Sequence, residues 1–199
     1  MLNLFDPVIY TAEELAHVET VLKPLKADGW KDKKNKTLYL LGRIDRHTAI
    51  AQGGRCAYCE SPLRRGAHAI EHIAPKGIYG EFCYEPQNLV NACTSCNSTS
   101  NKGEQDTVAK PVDRNDYAAN SFTIVHPYFD TPDEHLKYSD AERTVFDKPA
   151  CSAKGLETIR MFNWDDICAY NQRVINARTR DLPIPVLQLV DEIGTYKDR

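Results

Sequence analysis

Two Cys-x-x-Cys pairs, Cys56/Cys59 and Cys93/Cys96, constrain this chain more than any other feature. Thiols spaced in this way converge across a tight turn, and four of them suit a tetrahedral zinc ion. Such an ion would staple two distant points of the chain and close the intervening segment into a lobe. A compact ribbon needs roughly 15–20 residues between its pairs. Here residues 60–92 intervene, which leaves room for an inserted functional segment. The competing reading is a plain zinc ribbon that holds a loop and does nothing else.

The bulk numbers narrow the class. A chain of 199 residues, 42% apolar and 27% charged, is ordinary for a water-soluble domain. Its net charge of −3 gives no whole-protein basic field. Charge is nonetheless uneven. Residues 31–65 hold Lys31, Lys33, Lys34, Lys36, Arg43, Arg46, Arg55, Arg64 and Arg65 against Asp32, Asp45 and Glu60. That stretch could contact phosphates, whereas residues 31–36 alone read equally well as a solvated lysine loop. No apolar run approaches a membrane span, and Met1–Tyr10 lacks a basic start and is broken by Asp6-Pro7. The expectation is a cytoplasmic protein with reduced thiols and no membrane contact, where paired cysteines bind metal more often than they form disulfides. Cys83, Cys151 and Cys168 read as packing residues.

The flanks are helical by pattern. Thr11-Ala12-Glu13-Glu14 is a capping box, and Leu15, Val18, Val21 and Leu22 follow at helical spacing, with a stop predicted near Pro24 or by Gly29. Residues 37–51 predict a second helix, closed by Gly53-Gly54, with Leu40, Leu41 and Ile44 on one side and Arg43 and Arg46 on the other. From Arg55 to about Lys102 the helical period disappears. The spacing predicts a tight turn at 56–59, a strand or strand pair over 65–73 ended by Pro75-Lys76-Gly77, renewed order from Asn88, and a short helix over 94–102. Strands are expected at 122–125 and 144–146, and helices at 153–161, 164–178 and 186–196. The fold class is α+β and mainly helical, with a small zinc-stapled ββα lobe inserted between helical N- and C-terminal regions. The division expected is 1–54, 55–105 and 106–199, the last a partner-binding region.

The insert carries Ile70-Glu71-His72-Ile73, and Asn97 follows the final cysteine. Imidazole titrates near neutral pH, so a neutral His72 can take a proton from an attacking water. A lone histidine is more often packed or at the surface. Glu71 and the Asn97 side-chain carbonyl add hard oxygen donors, which suit magnesium or manganese better than a soft metal. Strand alternation sends Glu71 and His72 to opposite faces. Both reach one phosphate only where the strand ends or bends, as Pro75 and Gly77 allow.

Taken together, Cys56-x-x-Cys59, Ile70-Glu71-His72-Ile73-x-Pro75-Lys76, Asn88-Leu89 and Cys93-x-x-Cys96-Asn97 resemble the His-Asn-His (HNH) endonucleases of the ββα-metal fold. The resemblance implies that His72 is the general base and that Glu71 and Asn97 hold the catalytic magnesium or manganese. Cys56, Cys59, Cys93 and Cys96 would hold a structural zinc, and Asn88 would brace the loop carrying the base. Two departures stand out. Glu71 occupies a position where many relatives have Asp, and Ser98-Thr99-Ser100-Asn101 delays Lys102, the counterpart of a phosphate-contacting lysine. Arg64, Arg65, Lys76 and Lys102 are the candidate substrate contacts. A second stretch, His126-Pro127-Tyr128-Phe129-Asp130-Thr131-Pro132-x-x-His135-Leu136, is similar to the Septu- and retron-associated HNH subfamily (PtuB-like), as is the ending from Ile159 to Arg173 with Asn163. That likeness implies a nuclease component of a bacterial anti-phage system with an ABC-type ATPase partner. From the sequence alone, His126 and His135 read as structural.

The function expected is therefore a metal-dependent HNH endonuclease that hydrolyses nucleic-acid phosphodiesters, with DNA the favoured substrate and RNA the second candidate. The alternative is a zinc-stapled nucleic-acid- or protein-binding module without catalytic activity.

Overall fold

The computed structural model describes residues 1–64 and 66–179; Arg65 and the helix expected over 186–196 lie outside the described residues. Helix α1 (Ala12–His17) begins as its capping box dictates: the Glu14 amide donates to Thr11 Oγ1 at 3.2 Å, and the Thr11 amide to the Glu14 carboxylate at 2.8 Å. The chain does not stop at Pro24. Helical turns continue as a π segment, Val18–Leu22, and then as 3-10 turns, Lys23–Lys31. Proline 24 supplies no amide and crowds the carbonyl four residues back, so the α ladder gives way to other pitches rather than to a loop. Lys26 breaks the run at φ +52°, ψ −130°.

Helix α2 (Asn35–Ala51) buries Leu40, Ile44, Thr48 and Ala49, with Leu41 half-buried. It ends where Gly53 and Gly54 take φ +58° and +70°, a left-handed region that glycine enters without steric cost. The sheet has two strands, β1 (His68–His72) and β2 (Leu89–Cys93), antiparallel with Glu71 opposite Val90 and His72 opposite Leu89. One sheet face packs on α2 through Ile70 and Leu89, in a cluster with Leu22, Leu40, Ile44, Cys83 and Tyr84. The other face joins a larger core that includes Tyr58, Ile73 and Val90 together with Met1, Leu4, Phe162 and Trp164.

Two expectations fail downstream of β2. Residues 94–102 form a series of turns and not a helix. Serine, threonine and asparagine there satisfy backbone groups locally, as when the Asn101 side chain donates to the Ser95 carbonyl at 2.7 Å. The structure is thus a mixture of helices and a small two-stranded sheet, without the third member of a ββα unit at this place. The expected strands at 122–125 and 144–146 reduce to single bridges, Val108 to Phe122 and Tyr138 to Phe146. The middle of the chain is built of turns, so mainly helical describes only its ends. There α3 (Pro132–His135), α4 (Ala153–Met161) and α5 (Ile167–Thr179) return to helix. No helix among the described residues is long and apolar enough to cross a membrane.

Candidate active site

The four paired cysteines converge. Cys56 and Cys59 flank a tight turn closed by the Cys56 amide on the Ser61 carbonyl at 2.8 Å, and Cys93 ends β2. All four sulfurs lie within 4.8 Å of one another, and Cys59 Sγ is 3.7 Å from Cys93 Sγ. Sulfurs placed tetrahedrally at about 2.3 Å from zinc stand about 3.8 Å apart, so the cluster has the size of a zinc site. Burial first, and then hydrogen bonds to the neighbouring thiols, push Cys56 up, and those neighbours also push Cys96 up. Hydrogen bonds from Cys56 pull Cys59 and Cys93 down. A metal that binds all four would displace their protons.

Glu71 and His72 leave opposite faces of β1. Glu71 enters the larger core, only 5% exposed. Burial raises its pKa, against the pull of Lys102 and Lys76. The ammonium of Lys102, itself fully buried, forms an ion pair with Glu71 Oε1 and donates to the His72 carbonyl at 2.7 Å. Even so, Glu71 Oε1 and the neighbouring Tyr58 hydroxyl are buried without a well-directed hydrogen bond among the described residues. The ammonium already balances the charge on Oε1, so a hard divalent cation would have to share this carboxylate with Lys102.

His72 turns to the α2 face and is 2% exposed. Its Nε2 lies 3.0 Å from the Cys83 carbonyl, which can only accept, so Nε2 carries the proton and Nδ1 offers the lone pair. The Trp30 ring meets the imidazole edge-on with centroids 4.4 Å apart. Burial, reinforced by the charge of Lys76, lowers the His72 pKa to about 3, so the ring is neutral at physiological pH.

Asn88 spans the loop that follows His72. Its Oδ1 accepts from the Ala74 amide at 2.6 Å, while Nδ2 donates to the carbonyls of Ala74 at 3.2 Å and Phe82 at 2.9 Å. The backbone carbonyl of Asn88 also accepts from the Ile73 amide at 3.0 Å. The two ends of the loop, one beside His72 and one beside Cys83, are thus tied to a single side chain.

The remaining candidates separate. Lys76 is half-buried at the loop entrance, and its charge acts on both Glu71 and His72. Asn97 is half-buried in the turn after Cys96, its amide bonded to the Cys93 carbonyl at 3.0 Å. Lys102 points inward to Glu71 and is fully buried. Arg64 lines a cleft of about 400 Å³ between the cysteine turn and α5, whose walls include Cys59, Cys93 and Trp164 but neither Glu71 nor His72. Motif spacing carried no signal for Trp30 or for the Cys83 carbonyl, because their contacts with His72 are made only through the fold.

Residues 56–103 match the family model of the HNH endonucleases. The match begins at the first cysteine, contains all four of them with Glu71, His72, Asn88 and Asn97, and ends at Gly103. An HNH domain suggests nuclease activity and hence a nucleic-acid substrate. No curated protein matches the chain.

Proposed function

We propose that this protein is a divalent-metal-dependent endonuclease whose general base is His72. The observation that carries the reading is the tautomer of that imidazole: its Nε2 proton is committed to the Cys83 carbonyl, which leaves Nδ1 as the acceptor, adjacent in sequence to a buried carboxylate at the end of a strand. His72 Nδ1 takes a proton from water. The water oxygen attacks phosphorus in line, the opposite P–O bond breaks, and the leaving oxygen takes a proton from solvent. Magnesium or manganese held by Glu71 and Asn97 would stabilise the negative charge that develops on the phosphoryl group. Asn88 keeps the loop ends, and with them the Cys83 carbonyl, in register with the imidazole. Lys76, Arg64 and Arg65 are the candidate phosphate contacts. For Lys102 the reading shifts from substrate to counter-ion of Glu71.

Duplex DNA is the favoured substrate, and the sequence around His126 supports a role in anti-phage defence beside an ABC-type ATPase. With a net charge of −3, a partner would supply part of the backbone affinity. The cysteine cluster would hold structural zinc.

The test is nicking of supercoiled plasmid with magnesium or manganese, alone and with a co-expressed ATPase. His72→Ala is expected to lower the rate by about 10²–10⁴-fold while zinc content and the fold hold, at a lower melting temperature because a buried ring is lost. Cys93→Ser, or zinc removal by a chelator, is expected to unfold the lobe outright. A His72→Ala protein that cuts at the wild-type rate, free of contaminating nuclease, overturns the assignment. One observation favours a zinc-stapled binding module instead: His72 is almost fully covered by its surroundings, Trp30 among them. That reading requires tight nucleic-acid binding with no turnover in either metal.

A further inference from the structure

We infer that Tyr117 and His126 are positioning residues for the His72 loop, acting through Asn88; this rests on the nuclease reading of that loop. Both lie beyond the span matched to the HNH family, and both are buried, His126 completely.

The hydrogen bonds around them have a single consistent direction. Asn88 Nδ2 faces two carbonyls and Oδ1 faces an amide, so the orientation of the side-chain amide is set by backbone alone. Its Oδ1 can then only accept from the Tyr117 hydroxyl, 3.0 Å away. A hydroxyl has one proton, and Tyr117 spends it on Asn88. The 2.9 Å contact with His126 Nε2 must therefore be donated by the imidazole. The other ring nitrogen agrees, since His126 Nδ1 accepts from the Tyr128 amide at 3.2 Å. Burial keeps His126 neutral, its pKa lowered to about 3, which leaves this one tautomer. The relay runs from the Tyr128 amide through His126 and Tyr117 to Asn88 Oδ1, and every proton in it is assigned.

The far end is anchored. The His126 amide donates to Asp130 at 2.7 Å, and Lys154 on α4 holds that carboxylate with contacts of 2.9 Å to each oxygen. The His126 ring stacks on Phe129 with centroids 4.2 Å apart. At the near end Asn88 fixes Phe82, and the next residue, Cys83, receives the Nε2 proton of His72. A displacement of the Tyr117 hydroxyl therefore reaches the base through Asn88 and the Phe82–Cys83 peptide.

Tyr117→Phe removes only the hydroxyl and keeps the ring against Phe82 and Phe122. In the zinc-loaded full chain, exchange of the His72 Nε2 proton, followed by nitrogen-edited NMR, is expected to quicken at least tenfold. On a DNA duplex with manganese, kcat is expected to fall about tenfold, the low end of the range for partners bonded directly to a functional ligand, because Tyr117 acts through Asn88 and a peptide, with KM unchanged. Ile159→Val, in the shared core but with no side-chain hydrogen bond to lose, supplies the control for a general loss of packing and should move neither readout. His126→Phe is a second variant, read in the same way. Wild-type Nε2 exchange in a folded Tyr117→Phe protein overturns the inference, as does an equal effect from Ile159→Val. Undiminished cleavage by His72→Ala overturns the assignment of His72 as the base instead, and the exchange measurement still judges the relay.

Discussion

The two faces of β1 place neighbouring titratable groups in opposite surroundings. Glu71 meets a buried ammonium and a tyrosine hydroxyl without a hydrogen bond among the described residues, whereas His72 meets a tryptophan edge and one backbone carbonyl. Burial acts on both, but with opposite chemical results. It raises the pKa of a carboxylate, which then needs a cation to stay ionised, and it lowers that of an imidazole, which then stays neutral without help. One face is a place to hold positive charge, and the other keeps a base unprotonated. A strand end achieves both with adjacent residues because alternation separates them across the sheet.

The contrast can be broken from the carboxylate face first. Lys102→Ala leaves Glu71 buried without its counter-ion and should cost about 3–5 kcal/mol in a denaturation experiment. Adding Glu71→Gln should recover much of that loss, because the uncompensated charge is gone. A Lys102→Ala protein as stable as wild type would mean that the ion pair carries no weight.

The imidazole face offers a smaller effect. Trp30→Ala should cost about 2–3 kcal/mol, less than a core tryptophan because the ring is half-buried. It should also admit diethyl pyrocarbonate to His72, read as a faster modification of that ring by mass spectrometry. Unchanged protection of His72 would assign its cover to other groups.

The smallest effect sharpens the description of the same face. His68 lies four residues before His72 on β1, with Nε2 3.1 Å from the Asp45 carboxylate on α2. The Asp45 hydrogen bond, outweighing desolvation, raises its pKa. A raised folded-state pKa gives stability that is complete below the unfolded value near 6.5 and is lost as pH rises through the folded value. The urea midpoint of wild type over His68→Gln should thus exceed zero at pH 5.5 by the equivalent of about 0.5–1 kcal/mol and shrink by pH 8.5. A difference constant with pH would assign the contact to packing rather than to charge.

What could be read in advance was local in the chain. The cysteine pairs, the capping box at Thr11 and the helix over residues 153–161 depend on spacings of a few residues, and the structure has all three. The separation of Glu71 from His72 followed from strand alternation alone. The inward turn of Lys102 was not legible, because a lysine near the end of a motif has the same appearance whether it faces solvent or a carboxylate 31 residues earlier. The turns over 94–102 were missed because their stability comes from side-chain bonds such as that of Asn101, which compete with a helix of similar composition. Trp30, Tyr117 and His126 meet the site only through tertiary packing, and no periodicity records such contacts.

The larger core has a practical consequence. Met1, Leu4, Phe162 and Trp164 are buried with Tyr58, which sits between two of the paired cysteines. The Leu2 amide bonds to the Ala57 carbonyl, and the Leu4 amide to that of Pro127. A segment cut at 56 and 103 would keep every motif residue and expose a wall of apolar surface that its flanks now cover. The unit recognisable by family is therefore not the unit that could be transplanted: a chimera built on the shorter boundary inherits the motif without the apolar cover that the flanks provide.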